Sequence, residues 1–140
     1  NIAAAALWAA DWPARSRRGE ALIDPMCGSG TLLLEGALMA LNRAPGLMRQ
    51  RFGFQGWLGH DETQWQAVRA DALEQSKQSV STDVEIRGYD ADISAVRRAT
   101  DNIERLGLEG AVRLRCKSLS ALTRPTHRDL VTGLLVMNPP

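Results

Sequence analysis

This sequence has few of the residues that hold small extracellular proteins or zinc modules together. It contains two cysteines, Cys27 and Cys116, among 140 residues, and no Cys-x-x-Cys pair. Two distant thiols provide neither a disulfide framework nor the ligand spacing of a zinc knuckle. His60 and His127 are isolated, so no metal site is predicted. We expect a reducing, cytoplasmic setting, because free thiols persist there.

Long apolar runs and a strong charge imbalance are also missing. The alanine-rich start, residues 1–12, is too short to span a bilayer and lacks the basic segment of a signal peptide, so it is predicted as a helix. The formal net charge is +1, so contact with nucleic acid would need a local patch or another domain. Because the first residue is Asn1 rather than Met, we expect a piece of a longer protein.

What the sequence does contain is an alternation of short apolar runs and helical segments. The predicted strands are 21–23, 84–89, 112–116 and 131–137, and the predicted helices are 1–12, 31–42, 62–79 and 93–106, with a polar break at 13–19 and an irregular stretch at 47–60. The helix at 62–79 is expected to bury one face, formed by Trp65, Val68, Ala72 and Leu73. Strands that alternate with helices predict a parallel sheet with helices on its faces, in a Rossmann-like α/β fold.

A glycine-rich stretch, DPMCGSGT, joins the first strand to the following helix over residues 24–31. Open α/β sheets bind ligands at this place, beyond the carboxyl ends of their strands. A P-loop is excluded because no lysine follows Gly30, and the dinucleotide fingerprint lacks its third small residue. Asp24 would repel a pyrophosphate but attract a cation. The loop therefore favours S-adenosylmethionine (SAM), which carries a sulfonium and an ammonium group and no phosphate, over NAD or ATP. The alternative is a tight structural turn that binds no ligand.

Asp90 ends the second predicted strand and could accept hydrogen bonds from both hydroxyls of a ribose. The alternative is a loop acid or a helix cap, but Asp92 already suits the cap position. Asp90 follows Asp24 at a far greater distance than the ~20 residues of the compact dinucleotide-binding fold. Residues 45–82 are therefore predicted to be an insertion with a helix of its own.

Asn138, Pro139 and Pro140 follow the fourth predicted strand directly. The simplest interpretation is a strand terminator, since proline has no N–H to donate. Beside the first strand, however, the side-chain carbonyl of Asn138 and the backbone carbonyl of Pro139 could accept the two N–H groups of an exocyclic amine. The prolines would hold both acceptors rigidly while the amine attacks the sulfonium methyl in line. Together with the glycine stretch, this motif predicts a SAM-dependent amino-methyltransferase.

Four segments together resemble the bacterial ribosomal RNA large subunit methyltransferase L family. They are DPMCGSGTLLLEGALMA, APGLMRQRFGFQGWLGHDETQWQAV, GYDADISAVRRATDNIERLG and LLVMNPP. The resemblance covers nearly the whole chain and implies methylation of the exocyclic N2 amine of a guanine in 23S ribosomal RNA. It also implies that residues 1–140 are the N-terminal part of a methyltransferase domain with strand order 3-2-1-4. The THUMP region and the remaining strands would then be absent, and we expect this piece to be inactive alone.

The resemblance also implies roles for residues at matching positions. Asp24, Met26, Gly28 and Gly30 resemble the donor-binding loop, Asp90 the ribose-binding acid, and Asn138, Pro139 and Pro140 the catalytic motif. The family usually has an acid after the third strand that meets the adenine amine, and here Ser118 is the weaker acceptor in its place. The rival predictions are an adenine-N6 methyltransferase of DNA or RNA, a NAD-dependent oxidoreductase and a non-enzymatic Rossmann-like module.

The inserted segment leaves two interpretations open. Its arginines, Arg49 and Arg51 with nearby Arg43, could contact RNA phosphates while Phe52, Phe54 and Trp57 stack on bases. Alternatively, the aromatic side chains pack the insert onto the sheet and the arginines are solvated. We favour the second interpretation.

Overall fold

The computed structural model describes residues 1–77, 84–123 and 132–139. The helices are α1 (Ile2–Ala9), α2 (Trp12–Arg17), α3 (Thr31–Ala40), α4 (Glu62–Lys77) and α5 (Ile93–Arg105), and the strands are β1 (Ala21–Asp24), β2 (Ile86–Asp90), β3 (Val112–Cys116) and β4 (Gly133–Leu135). His127 and Pro140 lie outside the described residues. So do residues 78–79 of the predicted insert helix and residue 131 of the predicted fourth strand. In the described part, no helix is long and apolar enough to cross a membrane.

The four strands form one parallel sheet in the order β3-β2-β1-β4. Leu22 of β1 lies beside Ile86 of β2 and Leu134 of β4, and Ile86 lies beside Val112 of β3. Leu22, Ile86 and Val112 point to the same face of the sheet, because they are in register on neighbouring strands. All three are buried. The predicted fold class and strand order are therefore confirmed.

Helix α3 packs closely on this face of the sheet. A Cβ atom added to Gly36 of α3 would lie 2.3 Å from Leu22 Cδ2, and one added to Gly88 of β2 would lie 2.3 Å from Leu33 Cδ1. Trp12 of α2 is fully buried, and its Nε1–H donates a hydrogen bond of 2.8 Å to the carbonyl of Gly36. These contacts fix the position of α3, whose first residue follows the glycine stretch.

The start of the chain differs from the prediction. The first helix ends at Ala9, and the predicted polar break at 13–19 contains α2. The reason is that Asp11 adopts a left-handed conformation, with φ of 57°, and turns the chain between two helices. Pro13 then lies in the first turn of α2, where no N–H is needed.

Helix α4 also differs from the prediction, because its apolar face is not buried. Val68 and Leu73 are 59% and 51% exposed, and no residue of α4 is fully buried. Trp65 and Ala72 are half-buried, and Trp65 packs edge-on against Phe52 and Phe54 with ring centroids 5.1 and 4.9 Å away. Phe52, Phe54 and Trp65 therefore pack on one another, whereas Trp57 is 73% exposed.

Candidate functional site

The glycine loop, residues 24–30, is tied to the carboxyl end of β2 by two hydrogen bonds. The N–H of Cys27 donates to the carbonyl of Tyr89 at 2.9 Å. The N–H of Gly28 donates to Oδ2 of Asp90, also at 2.9 Å. Gly28 has a φ of 56° and Gly30 a φ of 84°, a region that glycine enters without steric cost. The loop thus turns from β1 into α3 while its backbone lies against the end of the neighbouring strand.

Helix α5 holds the same loop from another side. The side-chain amide of Asn102 donates a hydrogen bond of 3.1 Å to the carbonyl of Ser29. A Cβ atom added to Gly30 would lie 3.2 Å from the Cβ of Ala99, closer than ordinary van der Waals contact. The loop is therefore fixed by β2 and by α5, and Gly30 is required both for its φ and for this close approach.

Asp24 ends β1 and is buried, with 1% of its surface exposed. Its Oδ1 accepts a hydrogen bond of 3.0 Å from the N–H of Met26. Burial raises the pKa of the Asp24 carboxyl to about 6, the Met26 N–H opposes this rise, and the nearby Asp90 adds to it. Asp24 therefore passes from neutral to charged near physiological pH, and a cation beside it would favour the charged form.

Cys27 lies near both acids, and its thiol is unreactive at neutral pH. Burial, together with Asp24 and Asp90, raises the pKa of its thiol to about 12. A thiol with such a pKa stays protonated at neutral pH, and the thiolate is the nucleophilic form. Cys27 thus fills space in the core beneath the loop.

Asp90 connects the loop, β2 and α5. Its Oδ2 holds Gly28, its Oδ1 accepts a hydrogen bond of 2.9 Å from the N–H of Asp92, and its carbonyl accepts one of 2.8 Å from the N–H of Lys117. Asp92 in turn caps α5, since its side chain accepts from the N–H of Ser94 at 2.8 Å. The predicted cap at Asp92 is therefore observed, whereas Asp90 is not free of protein contacts, because its carboxyl orients the loop.

A cavity of about 840 Å³ opens beside the glycine loop. Asp24, Met26 and Gly28 line it from one side, and Met137 and Asn138 line it from the end of β4. Parallel pairing of β4 with β1 produces this juxtaposition, because the carboxyl ends of both strands then lie at the same edge of the sheet. The two motifs singled out in the sequence therefore meet at one cavity.

Other predicted site residues have different positions. Gly30 is buried, while Pro139 is exposed beside Asn138. Ser118 is exposed at the start of a short 3₁₀ turn, Leu119–Ala121, with its Oγ 3.1 Å from that of Ser120. Among the described residues, the cavity lining does not include Gly30, Asp90, Ser118 or Pro139. Pro140 is outside the described residues.

Helix α1 supplies part of the cavity wall that the sequence did not reveal. Asn1, Ile2, Ala3 and Ala6 all line it. Asn1 is fixed in two ways, since its Oδ1 accepts from the N–H of Ala4 at 2.9 Å and its Nδ2 donates to Oε1 of Glu35 at 2.6 Å. The only available signal was the row of small alanine side chains, which permits a helix to approach a ligand cavity closely but does not specify one.

Comparison with known proteins agrees with this architecture. The model of the family described as "RMKL-like, methyltransferase domain" matches residues 1–140. The chain belongs to this family.

Relatives of known name and structure extend the comparison. The ribosomal RNA large subunit methyltransferase K/L of Saccharophagus degradans is 46% identical over 141 residues, a match that covers 100% of this chain and 19% of that protein. The chain thus spans about a fifth of the length of such curated relatives.

Two solved structures share the fold of this RMKL-like domain. The crystal structure of SMU.472, classed as a methyltransferase and complexed with SAH, superposes with a TM-score of 0.83 at 34% identity, covering 100% of this chain and 34% of that one. A predicted N6-adenine-specific DNA methylase from Listeria monocytogenes gives a TM-score of 0.79 at 29% identity, covering 99% and 34%.

Proposed function

We propose that this chain provides the SAM-binding part of a methyltransferase that modifies the exocyclic N2 amine of a guanine in 23S ribosomal RNA. The observation that carries the proposal is the single cavity that joins the glycine loop to Asn138. The family supports methyl transfer, and the relative named as a ribosomal RNA large subunit methyltransferase supports ribosomal RNA as the substrate. The sequence resemblance to the L family supports the guanine N2 position.

The cavity suits a cationic donor better than a phosphate-bearing cofactor. Asp24 lines it, and Asp90 lies close enough to raise the Asp24 pKa. Two neighbouring carboxyl groups favour a positive ligand and oppose a pyrophosphate. This argues for SAM and against the nicotinamide-dependent rival. The structure of SMU.472, which is complexed with SAH, supports the same choice. When bound, SAM supplies an electrophilic methyl group on its sulfonium.

Donor binding would fall to the glycine loop and the end of β2. Asp24, Met26, Gly28 and Gly30 would shape the surface against which the donor lies, and Asp90 would accept hydrogen bonds from its ribose hydroxyls. Each oxygen of Asp90 accepts one hydrogen bond from the described residues, from Gly28 or Asp92, and a carboxylate oxygen can accept two. Ser118 would be the candidate acceptor for the adenine amine at the position that the resemblance implies.

Asn138, Pro139 and Pro140 would orient the target amine. The side-chain carbonyl of Asn138 and the backbone carbonyl of Pro139 would accept its two N–H groups, which directs the nitrogen lone pair toward the methyl group. Positioning alone can contribute a large share of such a rate enhancement. The proton leaves after the nitrogen has become cationic, so no strong base is needed. The protonated thiol of Cys27 supports direct transfer rather than a covalent cysteine intermediate.

A second candidate is an adenine-N6 methyltransferase of DNA or RNA. It is favoured by the Listeria structure, whose description names that activity, and by the ability of Asn-Pro-Pro to hold any planar amine. The insert favours the ribosomal RNA assignment, because its sequence is the most specific part of the resemblance to the L family.

The test is methylation by the full-length protein with methyl-labelled SAM. The substrates are 23S rRNA from a strain that lacks the enzyme, the same rRNA from the parent strain, and adenine-containing duplex DNA. We expect label only in rRNA from the deletion strain, at the N2 of a guanine after nuclease digestion, and loss of at least about 100-fold in kcat for Asn138→Ala with little change in SAM affinity. Label at N6 of adenine would establish the second candidate instead.

A further inference from the structure

The insert forms a second groove, of about 680 Å³, between α4 and the segment that follows α3. We call it the arginine groove. It is defined by the apolar side chains Leu41, Leu47 and Leu73 and the polar side chains Arg43, Gln66 and Arg69. In the part of the chain that the structure describes, no aspartate or glutamate is among its lining residues.

Within residues 1–77, 84–123 and 132–139, the two guanidinium groups of the groove have no acidic partner. Nη1 of Arg43 donates to the carbonyl of Gly107 at 3.4 Å, and its Nη2 lies 3.1 Å from Sδ of Met48. Among the described residues, no carboxylate forms an ion pair with Arg43 or Arg69. Arginine stays protonated at all physiological pH values, so the groove carries two positive charges that no described carboxylate pairs directly.

The acids of the insert are occupied by other groups. Asp61 accepts the N–H of Gln64 at 3.0 Å, Asp71 accepts from Gln75 at 2.8 Å and Glu74 pairs with Lys77 at 3.1 Å. Glu62 pairs with His60 at 2.8 Å and also accepts a hydrogen bond from the side-chain amide of Gln66, so that the amide of this groove residue is already engaged. Arg49 instead lies over the ring of Phe52, with Cζ 5.0 Å from the centroid, and its Nε donates to the carbonyl of Arg51. None of these four acids therefore forms an ion pair with Arg43 or Arg69.

The walls of the groove add an apolar component to this charge. Met48 and Leu73 are 54% and 51% exposed, so both apolar side chains are accessible to a ligand. Guanidinium groups contact phosphates, while apolar and amide side chains contact sugars and unstacked bases of RNA. A groove with both features, and without carboxylates, is complementary in charge to a polyanionic strand with accessible bases.

The groove lies away from the cavity that contains Asn138. Helix α3 begins at Thr31, which lines that cavity, and ends at Ala40, just before the groove. Ten residues of α-helix span about 15 Å. A ligand that occupies both places must therefore be a polymer much larger than the target nucleotide.

We propose that the arginine groove binds a stretch of the ribosomal RNA substrate outside the target nucleotide, with Arg43 and Arg69 contacting its phosphates. This rests on the proposed function for the identity of the RNA. It also corrects the expectation for the insert, since Phe52 and Phe54 are engaged with Trp65 whereas Arg43, which the sequence placed with the solvated arginines, faces a groove.

The test uses Arg69→Gln in the full-length protein, with Lys77→Gln as the matched control. Both changes remove one positive charge from α4, but Lys77 is already paired with Glu74. Arg43→Gln provides a second variant on the opposite wall. Binding of 23S rRNA from the deletion strain is measured over a range of salt concentrations, together with KM, kcat and SAM affinity.

We expect Arg69→Gln to raise the Kd and KM for rRNA about three- to tenfold and to lower the slope of log K against log salt by about one. Its kcat and SAM affinity should stay unchanged, and Lys77→Gln should behave as wild type. If the wild type methylates 23S rRNA but both arginine variants retain its KM and salt slope, the groove assignment is wrong and the proposed function stands. If the wild type does not methylate 23S rRNA, the proposed function is wrong, and the groove assignment survives only if Arg69→Gln still weakens rRNA binding. Unchanged rRNA binding with altered protein–protein association in Arg69→Gln would overturn it in favour of a polypeptide partner.

Discussion

The side-chain amide of Asn102 donates a hydrogen bond of 3.1 Å to the backbone carbonyl of Ser29. It joins the last turn of α5 to the glycine loop, 73 residues earlier in the chain. Asn102 is thus a positioning residue for the proposed donor site, since it acts on the loop rather than on the ligand.

Replacement of Asn102 by Ala should weaken SAM binding by about fivefold, because the loss of one ordinary hydrogen bond costs about 1 kcal/mol. Calorimetric titration of the full-length protein measures this. Thr100→Val is the matched control, because Thr100 Oγ1 donates to the carbonyl of Val96 within α5 and does not reach the loop. The expected pattern is a small loss of thermal stability for both variants but a weaker Kd for Asn102→Ala alone. Equal SAM affinity in both variants would show that Asn102 has no positioning role.

The two loop glycines provide a matched pair for a second prediction. Gly28 and Gly30 both have positive φ, but an added Cβ meets nothing within 4 Å at Gly28 and lies 3.2 Å from Ala99 Cβ at Gly30. Gly28→Ala should cost about 1–2 kcal/mol in the free energy of unfolding, from the left-handed conformation alone. Gly30→Ala should cost more, because α5 must also move. Chemical denaturation measures both, and a smaller loss at Gly30 than at Gly28 would contradict the packing described between loop and helix.

The elements that the sequence predicted well are those whose ends carry capping residues or glycines. Helix α5 was predicted to within one residue because Asp92 caps its start and Gly107, with φ of 62°, follows its end. The break between α1 and α2 had no such mark, since it depends on the left-handed conformation of Asp11. Helix α4 shows the limit of periodicity, because Val68 and Leu73 lie on an apolar face that the described residues do not cover.

In the candidate site, too, one feature could be predicted from the sequence and another could not. The meeting of the glycine loop and Asn138 follows from parallel topology, since strand ends of the same polarity share an edge. The wall formed by α1 depends on how that helix packs against α3 through Asn1 and Glu35, and no local pattern encodes such a contact.

The raised pKa of Asp24 predicts how stability changes with pH. Its carboxyl has a pKa of about 6 in the folded state against 3.8 ordinarily, so between these values the folded protein binds more protons than the unfolded one. Stability then falls as pH rises from about 4 to about 6, and is flat above that range as far as Asp24 is concerned. A difference of about two pKa values corresponds to roughly 3 kcal/mol at most.

Asp24→Asn separates this contribution from those of other groups. An asparagine oxygen can still accept the Met26 N–H but does not titrate. The variant should lose the fall in stability between pH 4 and 6, and the wild type alone should bind SAM more tightly as pH rises through about 6, because the carboxylate then forms beside the cation. Denaturation and calorimetry at half-unit pH intervals test both effects. An identical pH profile for variant and wild type would mean that Asp24 ionises normally.

Trp12 gives a prediction about the scaffold behind the site. It is fully buried, and its indole N–H holds the carbonyl of Gly36 in α3 at 2.8 Å. Trp12→Phe should lower the free energy of unfolding by about 2–4 kcal/mol, because it removes this hydrogen bond and leaves a gap in the core. Trp8→Phe is the control, since Trp8 is 65% exposed on α1 and should cost less than about 0.5 kcal/mol. Equal losses in the free energy of unfolding for the two variants would show that α2 does not support α3 through Trp12.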